Sequence, residues 1–181
     1  ELKAFDAVVL CGGATESRSL TTIGIESKGV VQAMTFLTQQ TKSLYGEVIP
    51  NQIKATGKNV IVIGGGDTGS DCVGTSNRHG AASVTNFEIM PKPPVGRSET
   101  TPWPFWPLQL KDSSSHEEGC DRNWLINTKE FIANESGELT GLKTVEVQWK
   151  MTPGQRPELI EKAGSEKIWP CELALLALGF T

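Results

Sequence analysis

The chain has 181 residues, enough for one sizeable core and a little more. Its 17 Lys and Arg stand against 21 Asp and Glu, for a formal net charge of -4. That balance argues against a nucleic-acid or membrane-surface binder, since either needs a basic face. No apolar run reaches the roughly 20 residues needed to span a bilayer. No secretory signal pattern opens the chain, and a cytoplasmic protein is expected. Four cysteines (Cys11, Cys72, Cys120 and Cys171) are scattered without a C-x-x-C pair, so they offer neither a zinc nor an iron–sulfur site. Buried, reduced thiols are expected instead. His79 and His116 lie too far apart in sequence to imply a metal cluster. The chain begins at Glu1, inside what reads as a strand, and is expected to be a piece of a longer protein.

Taken in order, "FDAVVLCGGA" (Phe5 to Ala14) reads as a buried strand ending at a glycine pair. Residues 15 to 30 have no clear period and read as loop. Val30, Met34, Leu37 and Thr41 fall at helical spacing, which predicts a helix over about 31–43. A connector rich in Gly, Pro and Asn leads to the strand Val60–Ile63. A helix over about Thr68–Arg78 follows, closed by Gly80 at C′. Ala82–Met90 is the next strand. The prolines of "PKPPVGRSETTPWPFWP" fix φ and remove donors, so that stretch is a long loop. "SSSHEEGCDRN" opens a short helix, with Ser115 as its cap and Glu118 at N3. Residues 124–150 read as strands joined by the turn "NESGE" and are taken as structural. "CELALLALG" (Cys171 to Gly179) is a second continuous buried strand that echoes the first. This order predicts an α/β fold: a Rossmann-like parallel sheet with one βαβ unit and an antiparallel β meander.

"VIVIGGGDTGSDCVG", from Val60 to Gly74, carries the chemistry. Gly64, Gly66 and Gly69 fit G-x-G-x-x-G, and each position has its own task. Gly64 permits the sharp turn out of the strand. Gly66 lacks a Cβ, so a pyrophosphate can approach the backbone. Gly69 lets the new helix sit close to the sheet. The helix N-terminus then offers free N–H groups and partial positive charge to the phosphates. Glu88, about 20 residues on at the end of the next strand, is placed to accept the adenosine ribose hydroxyls. A carboxylate there disfavours a 2′-phosphate, so NADH is expected over NADPH, opposed by Lys92 and Arg97 of the proline-rich loop. The competing reading is a plain turn followed by a solvated Glu88. A P-loop is excluded, because no Gly-Lys-Ser/Thr follows.

"FDAVVLCGGATESR", "VIVIGGGDTGSDC", "RHG", "MPKPP", the Pro/Trp block "PWPFWP" and "SSSHEEGC" together resemble the small (beta) subunit of glutamate synthase over nearly the whole chain. "GGGDTG" alone is shared by many flavin-linked pyridine nucleotide reductases. The resemblance implies an FAD-dependent oxidoreductase with two Rossmann-like domains, the NAD(P)H domain inserted into the FAD domain. In that family NAD(P)H reduces FAD, and iron–sulfur clusters carry electrons to the large (alpha) subunit, which makes glutamate from 2-oxoglutarate and glutamine. Carried over by position, Gly64, Gly65, Gly66, Asp67, Thr68 and Gly69 match the dinucleotide loop. Cys11, Gly12, Gly13 and Ala14 match a family Ala-Thr-Gly-Ala where the chain leaves the FAD domain, with Cys11 and Gly12 replacing Ala and Thr. Gly179 ends the strand that returns toward the flavin. The expected division is 1–20 as a stub of the FAD domain and 21–57 as connecting loop and helix. The NAD(P)H-binding domain is then 58–170, and the returning strand 171–181.

The flavin does the hydride chemistry in such a system, so no catalytic residue is expected on this chain, which alone should turn nothing over. FAD and the clusters are expected in the full-length system and not on this piece. His116, Glu117 and Glu118 read as a solvated helix start. The rings of Trp103, Phe105 and Trp106 are expected to pack onto their own domain. Two other functions stay open: a related flavin reductase, dihydropyrimidine dehydrogenase-like or ferredoxin-linked, and a nucleotide-binding module without redox chemistry.

Overall fold

A computed structural model describes residues 4–152 and 154–181. The first three residues, and with them the start of the segment 1–20, lie outside the described residues. Two sheets and one helical layer make up the fold. The first sheet is parallel and five-stranded, in the order β1-β9-β2-β3-β4. Its strands are β1 (Val30–Gln32), β2 (Asn59–Ile63), β3 (Ser83–Glu88), β4 (Asp121–Trp124) and β9 (Leu173–Leu176). Helix α1 (Ala33–Leu44) carries the chain from β1 to β2, and α2 (Asp67–Arg78) from β2 to β3. Both crossovers run in one direction along the sheet, so both helices cover the same face. The expected βαβ unit is therefore β2-α2-β3, and a second one precedes it.

Apolar runs make this layering possible, because successive strand residues point to opposite faces. Val60 and Val62 of β2 join Leu173 and Leu175 of β9 in one core, against Ala33 and Phe36 of α1 and Cys72 and Val73 of α2. Ile61 and Ile63 join Ala174 and Leu176 in a second core, against Phe131, Leu139 and Leu142. That second core belongs to the antiparallel sheet of β5 (Ile126–Ala133), β6 (Leu139–Lys150), β7 (Glu158–Glu161) and β8 (Lys167–Pro170). β6 is the long central strand and pairs with the other three. The expected turn at "NESGE" joins β5 to β6, with the Asn134 side chain accepting from Ser136 N and Glu138 N at 3.0 Å each.

Several expectations change. Val30–Gln32 begin the predicted helix in sequence but form the edge strand β1, because β9 offers them a parallel partner (Val31 opposite Leu175). β9 sits between β1 and β2, so the sheet draws on residues from both sides of the span 58–170. β4, β7 and β8 carry no apolar run and give no strand signal in the sequence. Phe5–Ala14 forms no strand: its residues are exposed, Leu10 at 87%. The cap of the short helix α3 (Ser114–Glu117) is Ser113, whose Oγ accepts from His116 N at 3.3 Å. Ser115 is occupied otherwise, packed so tightly on α2 that a Cβ at Gly74 would come within 2.8 Å of its Oγ. Glu118 pairs with Arg78.

The proline-rich loop turns its rings outward. Trp103, Phe105 and Trp106 are exposed, and the Lys111 ammonium lies 4.2 Å from the Trp106 ring centre. The prolines leave no regular period with which to aim three rings at one apolar surface.

Candidate functional site

β2 ends and α2 begins at the carboxyl edge of the parallel sheet, where open α/β sheets bind ligands. Gly64 has φ +117°, and a Cβ there would collide with the carbonyl of Ala177 on the segment after β9. A Cβ at Gly69 would collide with the Gly64 carbonyl and touch Ala177 Cβ at 3.7 Å. Both glycines therefore serve close packing of turn, helix and neighbouring strand. Gly66 differs. It is the N-cap of α2 in extended geometry, exposed, with nothing within 4 Å of a Cβ placed on it. The space before the helix N-terminus is open, and the first-turn N–H groups point into it without intrahelical acceptors.

The turn is braced from below. Asn86, fully buried on β3, donates from Nδ2 to Val62 O (3.1 Å) and to Gly64 O (2.9 Å). Gly64 N donates to Phe87 O at 2.9 Å, and Ala177 N to Ile63 O at 2.8 Å. Asn86 has a sequence signal of a kind: a lone amide inside the strand "SVTNFE" must find buried partners.

Glu88 is the last residue of β3, and its side chain lies against Gly65. A Cβ on Gly65 would overlap the Glu88 carboxyl group, so this middle glycine makes room for the acid. The structure thus brings Gly64, Gly65, Gly66, Asp67, Thr68, Gly69 and Glu88 to one edge. Thr68 also borders a small crevice with Ser17 and the segment Leu176–Phe180, which includes Gly179. Gly179 O accepts from Arg18 N at 3.0 Å. Gly12 and Gly13 stand exposed, with nothing within 4 Å of a Cβ on either.

Glu88 is not alone. Arg122 of β4, registered opposite Asn86, donates from Nη2 to Glu88 Oε1 at 3.1 Å. Its Nη1 donates to Asp112 Oδ1 at 2.6 Å and to Lys111 O at 3.3 Å. Lys92 and Arg97, the cations singled out in the sequence, are both engaged, Lys92 on the residue paired with Glu88 and Arg97 within its own loop. Lys92 Nζ lies 4.9 Å from the Trp124 ring centre. Arg97 Nη1 braces its own loop through Thr101 O (3.1 Å) and Phe105 O (3.2 Å). His116 is half-buried rather than a solvated helix start, and its Nδ1 lies 3.2 Å from Ser113 Oγ. Burial and then the Arg122 charge push its pKa below the usual range, while Asp112 and Glu88 pull it back. Among the described residues no three His, Cys, Asp or Glu side chains gather as a metal site would.

No family model matches the chain. Individual relatives do. Glutamate synthase [NADH] of Saccharomyces cerevisiae is 45% identical over 184 residues, covering 97% of this chain and 8% of the relative. The glutamate synthase [NADPH] small chain of Mycobacterium tuberculosis is 44% identical over 181 residues, covering 97% of this chain and 36% of the relative. That of Bacillus subtilis is 41% identical over 189 residues, covering 99% and 38%. The chain is a homologue of glutamate synthases. It spans well under half the length of each of these relatives, which are larger proteins, and their names divide between NADH and NADPH. Solved structures share the fold at lower identity. Mycobacterium tuberculosis FprA in complex with NADPH matches with a TM-score of 0.64 and 12% identity, covering 93% of this chain and 49% of that one. Thioredoxin reductase of T. acidophilum matches with a TM-score of 0.52 and 16% identity, covering 92% and 42%. The chain thus shares its fold with about half of each of these two proteins.

Proposed function

We propose that this chain is the NAD(P)H-binding, electron-entry segment of a glutamate synthase small subunit. The observation that carries the reading is the open cradle at Gly66, set in a chain 41% to 45% identical to glutamate synthases. Gly64, Gly65, Gly66, Thr68 and Gly69 form the phosphate end, where free N–H groups and the α2 dipole favour an anion. Asp67 brings a negative charge to that same turn, so its part is to accept hydrogen bonds from hydroxyl or amide groups rather than to face phosphate. Glu88 accepts from the adenosine ribose. Thr68 and Gly179, which share a crevice, mark the side from which the flavin-binding part approaches, and Gly12 and Gly13 lie where the chain joins that part.

When bound, the nicotinamide would supply a hydride to a flavin held by the rest of the subunit, the electrons then serving glutamate formation through iron–sulfur clusters and a large subunit. This chain's own task is to hold and orient the nucleotide; it needs no acid or base of its own. Residues 58–170 with the strands at 30–32 and 173–176 form the nucleotide unit. Residues 1–20 and 177–181 connect it to the flavin part. No helix among the described residues is long and apolar enough to cross a membrane. The four thiols are unpaired, which suits the reducing cytoplasm.

The test is titration of NADH and NADPH into wild type and Gly66→Val. A branched side chain fills the cradle without touching the fold, so both nucleotides should weaken by on the order of 100-fold, about 2.7 kcal/mol. The melting temperature should hardly move. Unchanged affinity in the variant overturns the reading, and a full-length protein that purifies without a flavin spectrum overturns its redox part.

A further inference from the structure

Side chains from three separate segments meet at the end of β3, where the Glu88 carboxyl group lies against Gly65. Glu88 closes β3, Arg122 lies on β4, and Asp112 and Lys111 end the proline-rich loop. The Arg122 and Glu88 side chains are only 13% and 15% exposed, while Asp112 is 59% exposed. One guanidinium thus serves two carboxylates, while the nearby ammonium groups of Lys111 and Lys92 face the rings of Trp106 and Trp124. The guanidinium carbon lies 5.0 Å from the Trp124 ring centre, which fixes its plane from below. Its Nε is buried without a partner, as are Trp124 Nε1 and His116 Nε2 beside it.

We propose that Arg122 is a specificity-determining positioning residue, which aims Glu88 at the adenosine ribose and is itself kept from a 2′-phosphate by Asp112. The inference rests on the nucleotide reading above and sharpens it. Arg122 Nη2 holds Glu88 Oε1, so the carboxyl group cannot leave Gly65 for solvent, and Oε2 remains the free acceptor on the loop side. The opposite edge of the guanidinium is spent on Asp112 and on Lys111 O. In this state the site offers a hydroxyl a free acceptor and offers a phosphate two carboxylates with a guanidinium already committed to them. Releasing the Asp112 side of the fork removes one negative charge and leaves Nη1 held only by its longer bond to Lys111 O, so that it can turn to a phosphate, for which guanidinium geometry is suited. Relatives named for NADH and others named for NADPH can share one glycine loop if the choice is made by an exposed residue of this kind.

The experiment is a titration of NADH and NADPH into the full chain, at low and moderate salt, for wild type, Asp112→Asn, Arg122→Met and Arg122→Lys. Asp112→Asn should shift the ratio of the two Kd values toward NADPH by about fivefold or more at low salt, the weight of one unit charge at about 4 Å in water. The shift should shrink as salt rises. Arg122→Met should weaken NADH, because Glu88 loses its anchor, and Arg122→Lys should restore part of that loss. Asp112 is exposed, so its variant keeps the test valid even if Arg122→Met folds poorly. A ratio that stays within twofold of wild type in Asp112→Asn, with both nucleotides still binding, overturns the assignment of Arg122 and Asp112 alone. Wild type that binds neither nucleotide overturns the nucleotide reading and this inference together.

Discussion

"VVLCGGA" and "VIVIGGGD" are nearly the same sentence in the sequence, an apolar run broken by glycines, yet the fold treats them oppositely. Val60, Ile61, Val62 and Ile63 are buried between two layers, with β9 on one side and β3 on the other. Val8, Val9 and Leu10 are exposed and pair with nothing among the described residues. A Cβ on Gly64, Gly65 or Gly69 would run into a neighbour; one on Gly12 or Gly13 would meet open space. An apolar run reports what a strand would like to bury, but neighbours decide whether it does. Strand formation is a property of the sheet.

The largest contrast to test is in the runs themselves. Leu175 is completely buried in the core shared by β2, β9, α1 and α2. Leu175→Ala should cost about 2–5 kcal/mol, the range for truncating a large buried aliphatic residue. Leu10→Ala should stay within about 0.5 kcal/mol. Urea melts of the two variants check this, and equal losses would mean that residues 7–13 bury themselves against something in solution. The glycines give a second, smaller contrast. Gly64→Ala forces a side chain onto the Ala177 carbonyl at a backbone φ that only glycine takes easily, at a cost on the order of 1–3 kcal/mol. Gly12→Ala should be neutral or slightly stabilising. Reversal of that order in thermal melts would contradict the packing around the turn.

The same contrast explains what could be read in advance. The α/β class, α1, α2, β2, β3 and the hairpin of β5 and β6 follow from local periods and turn residues, which the chain carries within single windows. The glycine loop and Glu88 were legible because their roles depend on short, fixed spacing. Arg122 was not. It sits on the polar strand "DRNW", separated from Glu88 by a loop of more than twenty residues, and only the pairing of β3 with β4 brings the two together. Asn86 showed itself as an odd residue in a strand, without saying which carbonyls it would hold. The rings of "PWPFWP" misled for a related reason: aromatic residues state a preference for burial, and a chain fixed by prolines had no surface to give them.

The smallest effect concerns the thiols near the two glycine patterns and at the entry to β9. Cys11 is exposed beside Gly12, whereas Cys72 is buried on α2 behind Gly69, and Cys171 is buried at the entry to β9. Burial pushes the Cys72 thiol up to about 12, with a further rise from the Asp71 charge, and it pushes Cys171 up to about 12 as well. An acid whose pKa is raised by folding stays protonated in the native state and ionises sooner in the unfolded one. Its stabilising contribution is therefore complete below the unfolded thiol value, near 9, and is lost as pH climbs from there toward 12. Stability should accordingly fall on going from about pH 8 to about pH 9.5, by on the order of 1 kcal/mol for each buried thiol. Cys72→Ala would remove part of that slope while introducing a cavity, so the comparison is of slopes and not of absolute stability. Iodoacetamide supplies the independent check. At pH 8 Cys11 should be alkylated first, while Cys72 and Cys171 should react only at the rate at which the domain opens. Prompt alkylation of Cys72 in the native protein would mean that α2 does not stay closed over its sheet, and the firm half of the comparison would be lost.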